Sequence, residues 1–439
     1  IDDMTAIWAS PLDNILLIGT KDNGIKRIDI QTKTYKDILP QQKKSPLYTR
    51  NIIRMTKEKV WIGTFNGIYL YDIQNDTIMS IQQNKSDLYS LSSNAIKELY
   101  KDQEGGIWVC TDNGGISYSP PYSKFKRHYN IPGQRTLNGD IIHDICIDKN
   151  NNLWIGTEDA GLNKLNMKDH SYTSFNDMKG LSQNCIHGLA SIDNHLWIGT
   201  HANGIDLMDI RTEKIIKHYT ISVNPYANKN DIIVYLYKLQ NNDLLVALGV
   251  YQYNSQKDIF EKLSQFPNNC RIQTLFEDHD GVIWAGTSSK GLYYYNPATS
   301  QHGEFKLDTV NTSRTINNIY EDRKNNLWFA TGDGIKIYDR STQQTTKYDM
   351  QDGLPSNVIY RIEEDKKGNM WISTANGLAR LNPKNHKIKV FKKEHGLTSN
   401  QFNYNSSLKT DNDKLYFGTL KGMISFQPNS IQEFSIQPK

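Results

Sequence analysis

Residues 356–393 read SNVIYRIEEDKKGNMWISTANGLARLNPKNHKIKVFKK, and apolar positions alternate with polar ones over four short runs. Alternation with period two predicts half-buried strands, and the polar, glycine-containing stretches between runs predict turns. The runs VIYRIEE, MWIST, LARLN and IKVFKK are thus expected as strands, joined through DKKGN, ANG and PKNHK. The ANG turn supplies a glycine able to take positive φ. No stretch of useful length carries the 3.6-residue period of an amphipathic helix.

The same pattern returns along the whole chain. Copies read LLIGTKDNGI near Leu17, VWIGTFNGI at Trp61, IWVCTDNGGI at Trp108, LWIGTEDAGL at Trp154 and LWIGTHANGI at Trp197. They continue as LLVALGV at Leu245, IWAGTSSKGL at Trp284, LWFATGDGI at Trp328, MWISTANGL at Trp371 and LYFGTLKGM at Tyr416. The period of about 44 residues is that of propeller blades. A four-stranded unit cannot bury both faces alone, so neighbouring units must stack around an axis, and the expected fold is an all-β β-propeller. Seven of the ten copies place Trp at the head of the second strand: Trp61, Trp108, Trp154, Trp197, Trp284, Trp328 and Trp371. These are expected to fill the widening space between blades rather than to form a binding platform.

Ten blades exceed the common ring of four to eight. The third copy carries a double glycine and then Pro120-Pro121, which interrupts strand pairing as a boundary would. Beyond it, the run KFKRHYN is followed by seven copies of the first three strands, and the last copy ends at GMISFQP without an outer strand. Exchange of that strand between the ends would close a ring. The expectation is therefore three final blades of an incomplete propeller over residues 1–120, a complete seven-bladed propeller over 121–430, and a tail at 431–439 leading to a downstream domain. A single ten-bladed ring is the alternative.

Composition adds exclusions. The 439 residues include 51 Lys and Arg against 47 Asp and Glu, with the signs mixed throughout, which disfavours nucleic acid as a partner. No apolar run is long enough to span a membrane, and no signal peptide is evident. The chain starts at Ile1 rather than Met and is expected to be a processed or excised piece. Cys110, Cys146, Cys185 and Cys270 lie far apart, with no CxxC and no Cys/His metal spacing, so packed free thiols are expected.

The reiterated GNMWIST and NNLWIGT turns, the phrase EGGIWVCTDNGGISYSPP, the DGLPSN and HGLTSNQFN loops and the closing KLYFGTLKGMISFQP go beyond a generic Trp-Gly repeat. Along its whole length the chain resembles the two-component regulator propeller repeats in the periplasmic sensor regions of bacterial hybrid two-component sensor histidine kinases. The resemblance implies a periplasmic location, as part of an inner-membrane protein that dimerises. It also implies recognition of glycan-derived oligosaccharides that controls polysaccharide utilisation. The kinase and DNA-binding parts of such proteins are absent, so no enzyme activity and no cofactor is expected of this chain.

Loops joining the fourth strand of one blade to the first of the next, and the second strand to the third, gather on one face of a propeller. Sugars need planar side chains together with amide, carboxylate and guanidinium groups. Arg135, Glu158, His201, Tyr226, Tyr251, Arg314, Asn403 and Tyr404 have that chemistry on those loops and are the candidate ligand residues. Tyr251 and Tyr253 stand in the LLVALGV blade, which departs from the pattern by losing its Trp. His143 and His187 hold matching first-strand positions, where packing with a hydrogen bond is expected. Asp148, Asp322 and Asp365 recur at turns after first strands and are expected to cap local backbone amides. No metal-ligand spacing and no sialidase-type Ser-x-Asp-x-Gly-x-Thr-Trp turn is present. A protein-interaction scaffold is the alternative function, and a propeller glycosidase or lyase the more distant one.

Overall fold

The computed structural model describes residues 3–10, 14–39, 47–103, 105–120, 125–221, 233, 235–247, 249–267, 270–307 and 313–431. Among them the regular structure is antiparallel sheet, with only single-turn 3-10 helices such as Asp177–Lys179 and Met350–Asp352. The chain divides into two compact units, the first up to residue 123 and the second over 124–433.

The first unit holds three consecutive blades, whose innermost strands are Met4–Ser10, Thr49–Arg54 and Ile96–Lys101; the third blade has three strands where the others have four. The second unit holds seven four-stranded blades. Their innermost strands are Ile142–Ile147 (blade 1), Ile186–Ile192 (blade 2), Tyr235–Lys238 (blade 3), Ile272–Glu277 (blade 4), Ile316–Glu321 (blade 5), Ile359–Glu364 (blade 6) and Phe402–Lys409 (blade 7). Each packs against the next, and the strand of blade 7 packs against that of blade 1. The ring closes with Lys126–His128, which pairs antiparallel with Gly422–Phe426 as the fourth strand of blade 7. A single ten-bladed ring is thereby ruled out in favour of a closed seven-bladed one.

The repeated residues have specific jobs. In nine copies the Thr that ends the second strand donates its hydroxyl to the carbonyl of the turn glycine, as Thr157 does to Gly161 at 2.8 Å. Where a Gly precedes that Thr, the neighbouring blade comes close to it: a Cβ on Gly156 would lie 2.8 Å from Ile186 Cγ2, and one on Gly418 would lie 2.8 Å from Ile142 Cβ across the closure. The turn aspartates do more than cap backbone. Asp365 accepts from the amides of Lys367 and Asn369 at 2.9 Å, and its second oxygen accepts from the Trp371 indole at 3.0 Å. Asp102, Asp148, Asp278 and Asp322 hold Trp108, Trp154, Trp284 and Trp328 in the same way, so one carboxylate ties each of these turns to its tryptophan.

In the GLSQN, GLPSN and GLTSN loops, the Asn side chain accepts from the first amide of a 3-10 turn: Asn184 from Asp177, Asn357 from Met350 and Asn400 from Lys393, at 2.7–2.9 Å. Gly180, Gly353 and Gly396 end those turns at φ of 98°, 106° and 102°, where a side chain would be strained.

The core is not central. One apolar cluster fills each of the seven gaps between consecutive blades of the ring, and two more fill the gaps of the first unit. Trp154, Trp197, Trp284, Trp328 and Trp371 each sit in the gap toward the following blade and are buried. Trp61 is half-buried. Trp108 departs from the expectation: it is 41% exposed, with Tyr118 against it at 4.7 Å. It belongs to the last blade of the first unit, so that unit has no following blade to cover it. All four cysteines are free, as expected, but half-buried.

Polar residues of the inner strands stitch the ring circumferentially. Asp144 of blade 1 accepts from the Leu189 amide of blade 2 at 2.7 Å, Asn318 of blade 5 accepts from the Ile362 amide of blade 6 at 3.0 Å, and Asn403 of blade 7 donates to the Ile142 carbonyl of blade 1 at 2.9 Å.

Candidate functional site

Two places on the second unit gather chemistry. The first lies where the fourth-to-first and second-to-third loops of blades 1 and 2 converge. Repetition builds it: His143 and His187 hold equivalent positions at the start of two successive inner strands, and Glu158 and His201 hold equivalent positions just after the Thr that ends the second strand. The His143 and His187 rings pack with centroids 4.1 Å apart, and the His201 ring is 4.8 Å from that of His187. Cys185, two residues before His187, brings its sulfur to 3.4 Å from His187 Nε2, and a Glu158 oxygen reaches the same nitrogen at 3.4 Å.

The tautomer of His143 follows from its neighbours. Asn403 spends its oxygen on the Tyr404 amide and its Nδ2 on the Ile142 carbonyl, and it directs the same Nδ2 toward His143 Nδ1 at 3.4 Å. Nδ1 is then the acceptor, so Nε2 carries the proton and donates to Glu158, with which it makes a short contact. Burial lowers the pKa of both histidines, that of His187 to about 4, against the pull of the Glu158 carboxylate. Partial burial pulls Glu158 up, but His143 and then His187 outweigh it and leave the carboxyl below its usual range. Burial, reinforced by Glu158, pushes the Cys185 thiol up to about 12. Tyr404 covers one side, its ring 5.5 Å from His143, and burial raises its phenol.

The second place is a cleft of about 620 Å³ between the loop 130–138 and the outer strand Tyr172–Phe175 of blade 1. Asn130, Gln134, Arg135, Asn138, Ser174 and Lys179 contribute most of its polar lining. The loop is braced: Thr136 Oγ1 accepts from the Ile131 amide at 2.9 Å, and Asn163 both accepts from the Asn138 amide at 2.9 Å and donates to its carbonyl at 2.8 Å. Lys179 donates to the Ser174 carbonyl at the rim, while Arg135 is exposed.

Of the candidate residues read from sequence, Glu158, His201, Asn403 and Tyr404 therefore meet at the first place, and Arg135 lies in the second. Asn403 is buried and spends its amide on inter-blade bonds rather than on solvent. Tyr251 is corrected from loop to strand: it lies within Val250–Asn254 and packs against the cluster between blades 2 and 3. Tyr253 does likewise, 4.7 Å from Trp197. Arg314 is exposed in the loop before blade 5, where its carbonyl accepts from Gly291 at 2.9 Å. Tyr226 lies outside the described residues. Sequence reasoning recognised His143 and His187 as matching first-strand positions but expected them only to pack, and it missed their assembly with Cys185, Glu158 and His201. The legible signal was spacing by one repeat: a His one repeat after a His, and a His one repeat after Glu158.

Against known proteins, the family described as Two component regulator propeller matches residues 90–113, 136–159, 265–289, 312–333 and 353–376, each spanning a turn and the following Trp strand. Those five segments are similar to two-component regulator propeller repeats. The chain is also similar to histidine kinase P4 of Formosa agariphila, at 28% identity over 443 aligned positions covering 86% of this chain and 28% of that protein. Among solved structures, it resembles the extracellular domain of a putative hybrid two-component system of B. thetaiotaomicron, with a TM-score of 0.62 and 23% identity over 96% of this chain and 62% of that one. A second such domain from the same organism matches with a TM-score of 0.58 and 21% identity, over 99% and 59% of the two chains. The chain thus spans under a third of the curated relative and about three fifths of the solved ones. No helix among the described residues is long and apolar enough to cross a membrane.

Proposed function

We propose that this chain is the ligand-sensing region of a hybrid two-component regulator, placed in the periplasm ahead of an inner-membrane kinase, and that it binds a glycan-derived oligosaccharide without cleaving it. The observation that carries this reading is the braced cleft around Arg135. Its volume suits a ligand of a few sugar rings, and its lining of amides, hydroxyls and two cations supplies many donors for hydroxyl and carboxylate oxygens. The guanidinium of Arg135 can pair a carboxylate with two parallel hydrogen bonds, so an acidic sugar is the favoured occupant. In the longer protein, binding would alter contacts within a homodimer, because a sensor must couple occupancy to a rearranged interface.

The test is calorimetric titration and thermal stability against a panel of neutral and acidic oligosaccharides, with product analysis on the same samples. Binding of an intact acidic oligosaccharide, weakened at least tenfold in Arg135→Ala, is the expected result. Turnover by pure protein would sink the sensing reading, and undiminished binding in Arg135→Ala would move the site elsewhere.

A further inference from the structure

The cluster shared by blades 1 and 2 has a use that oligosaccharide recognition does not require. We propose that Glu158, Cys185, His187 and His201 form a site for one zinc-class divalent cation, with His143 holding the carboxylate in place.

Geometry is the first ground. Cys185, His187 and His201 offer ligand atoms that all lie within 4.8 Å of one another, and so do His143, Glu158 and His187. Tetrahedral zinc, with bonds of about 2.0–2.3 Å, spaces its ligand atoms about 3.3–3.8 Å apart. The His187 Nε2 distances of 3.4 Å to both Cys185 Sγ and Glu158 Oε2 already match that spacing. His187 is common to both groups, which places the cation where its ring faces the thiol and the carboxylate together.

Unsatisfied chemistry is the second ground. His187 is 4% exposed, and beside it His201 Nδ1 is buried without a hydrogen-bond partner. Buried polar atoms in native proteins are nearly always paired, so an orphaned ring nitrogen next to a thiol and a second imidazole marks a place built for something more. The third ground is support. His143 donates from Nε2 to Glu158 and is itself fixed by Asn403, the kind of outer hydrogen bond that orients a metal-binding carboxylate. A mixed thiolate, imidazole and carboxylate set favours zinc over magnesium or calcium, which prefer oxygen alone. On binding, the thiol proton leaves to solvent and a sulfur–metal bond forms; no electron is transferred.

The whole chain, stripped with a chelator, is titrated with Zn²⁺ alone and then with Co²⁺ as a spectroscopic probe. One equivalent of Zn²⁺ should bind and raise the melting temperature, and Co²⁺ should give a thiolate-to-metal charge-transfer band. Cys185→Ser should abolish the band and weaken Zn²⁺ at least tenfold, while Cys110→Ser, in the other unit, leaves both unchanged. His201→Asn, at a half-buried strand end, should weaken Zn²⁺ at least tenfold with an unchanged circular dichroism spectrum. Absence of saturable Zn²⁺ binding, or retention of affinity and band in Cys185→Ser, overturns the site.

Discussion

A tryptophan indole and a turn aspartate six residues before it are the smallest unit from which this chain is built. The carboxylate of Asp365 is 2% exposed and accepts from two backbone amides, the Asn369 side chain and the Trp371 indole. Removing it leaves those donors buried and unpaired, which costs about 1–3 kcal/mol. Asp365→Ala is accordingly expected to lower the urea midpoint by that free energy with an unchanged slope, whereas Trp371→Phe, which keeps most of the apolar volume, should cost less. In the sequence, the aspartate could be recognised as a turn former and the tryptophan as blade packing. The bond between them could not, since it depends on the turn folding the carboxylate back over its own strand. The same limit applied to the histidines: His143 and His187 are ordinary strand residues in sequence and His201 a loop residue, and only the stacking of two blades brings Cys185, His187, His201 and Glu158 together.

Among the elements, the strand Lys126–His128 decides whether the ring is closed. Phe125 just before it packs edge-on against Phe391 and Phe426 with centroids 5.4 and 4.9 Å away, and is buried between blades 6 and 7. Phe125→Ala should destabilise the second unit by about 3–5 kcal/mol, measured by denaturant unfolding. His128 makes the closure sensitive to acid. Its Nδ1 meets the Tyr172 hydroxyl at 2.7 Å and its Nε2 the Ser425 hydroxyl at 2.9 Å. Burial, with the Lys126 and Lys414 charges, depresses its pKa from 6.5 to about 3. Because the folded state binds the proton less readily than the unfolded one, the contribution of His128 is complete above pH 6.5 and is lost as the pH falls toward 3. The stability difference between wild type and His128→Gln should shrink over that window; a difference independent of pH would remove His128 as the cause. This closure was legible in sequence from an outer strand left over at one end and missing at the other. The exposure of Trp108 was not, because it depends on which blade follows.

At the scale of the molecule, two compact units share one chain. Scanning calorimetry is expected to show two transitions. An oligosaccharide bound in the Arg135 cleft at one hundred times its Kd should stabilise only the second unit, by about 2.7 kcal/mol. A shift of both transitions together would show that the units unfold as one. The blade count was readable because every copy carries the same turn and strand signals. The two candidate places were less so, because loops of similar polarity occur in every blade and only their three-dimensional setting separates a cleft from a surface.

Closure of the ring also fixes an order of events during synthesis. His128 and its partner Ser425 are 297 residues apart, so the first strand of the closing sheet leaves the ribosome long before the strand that completes it exists. At about 5–20 residues per second, the wait is roughly 15–60 s. Through that interval the nascent chain carries a row of unpaired backbone groups on Lys126–His128, the kind of edge that invites wrong pairing in a crowded compartment. With every blade repeating one strand pattern, the earlier blades offer near-copies of the true partner, and the rings around His128, together with its two hydroxyl contacts, distinguish the right edge from the wrong ones.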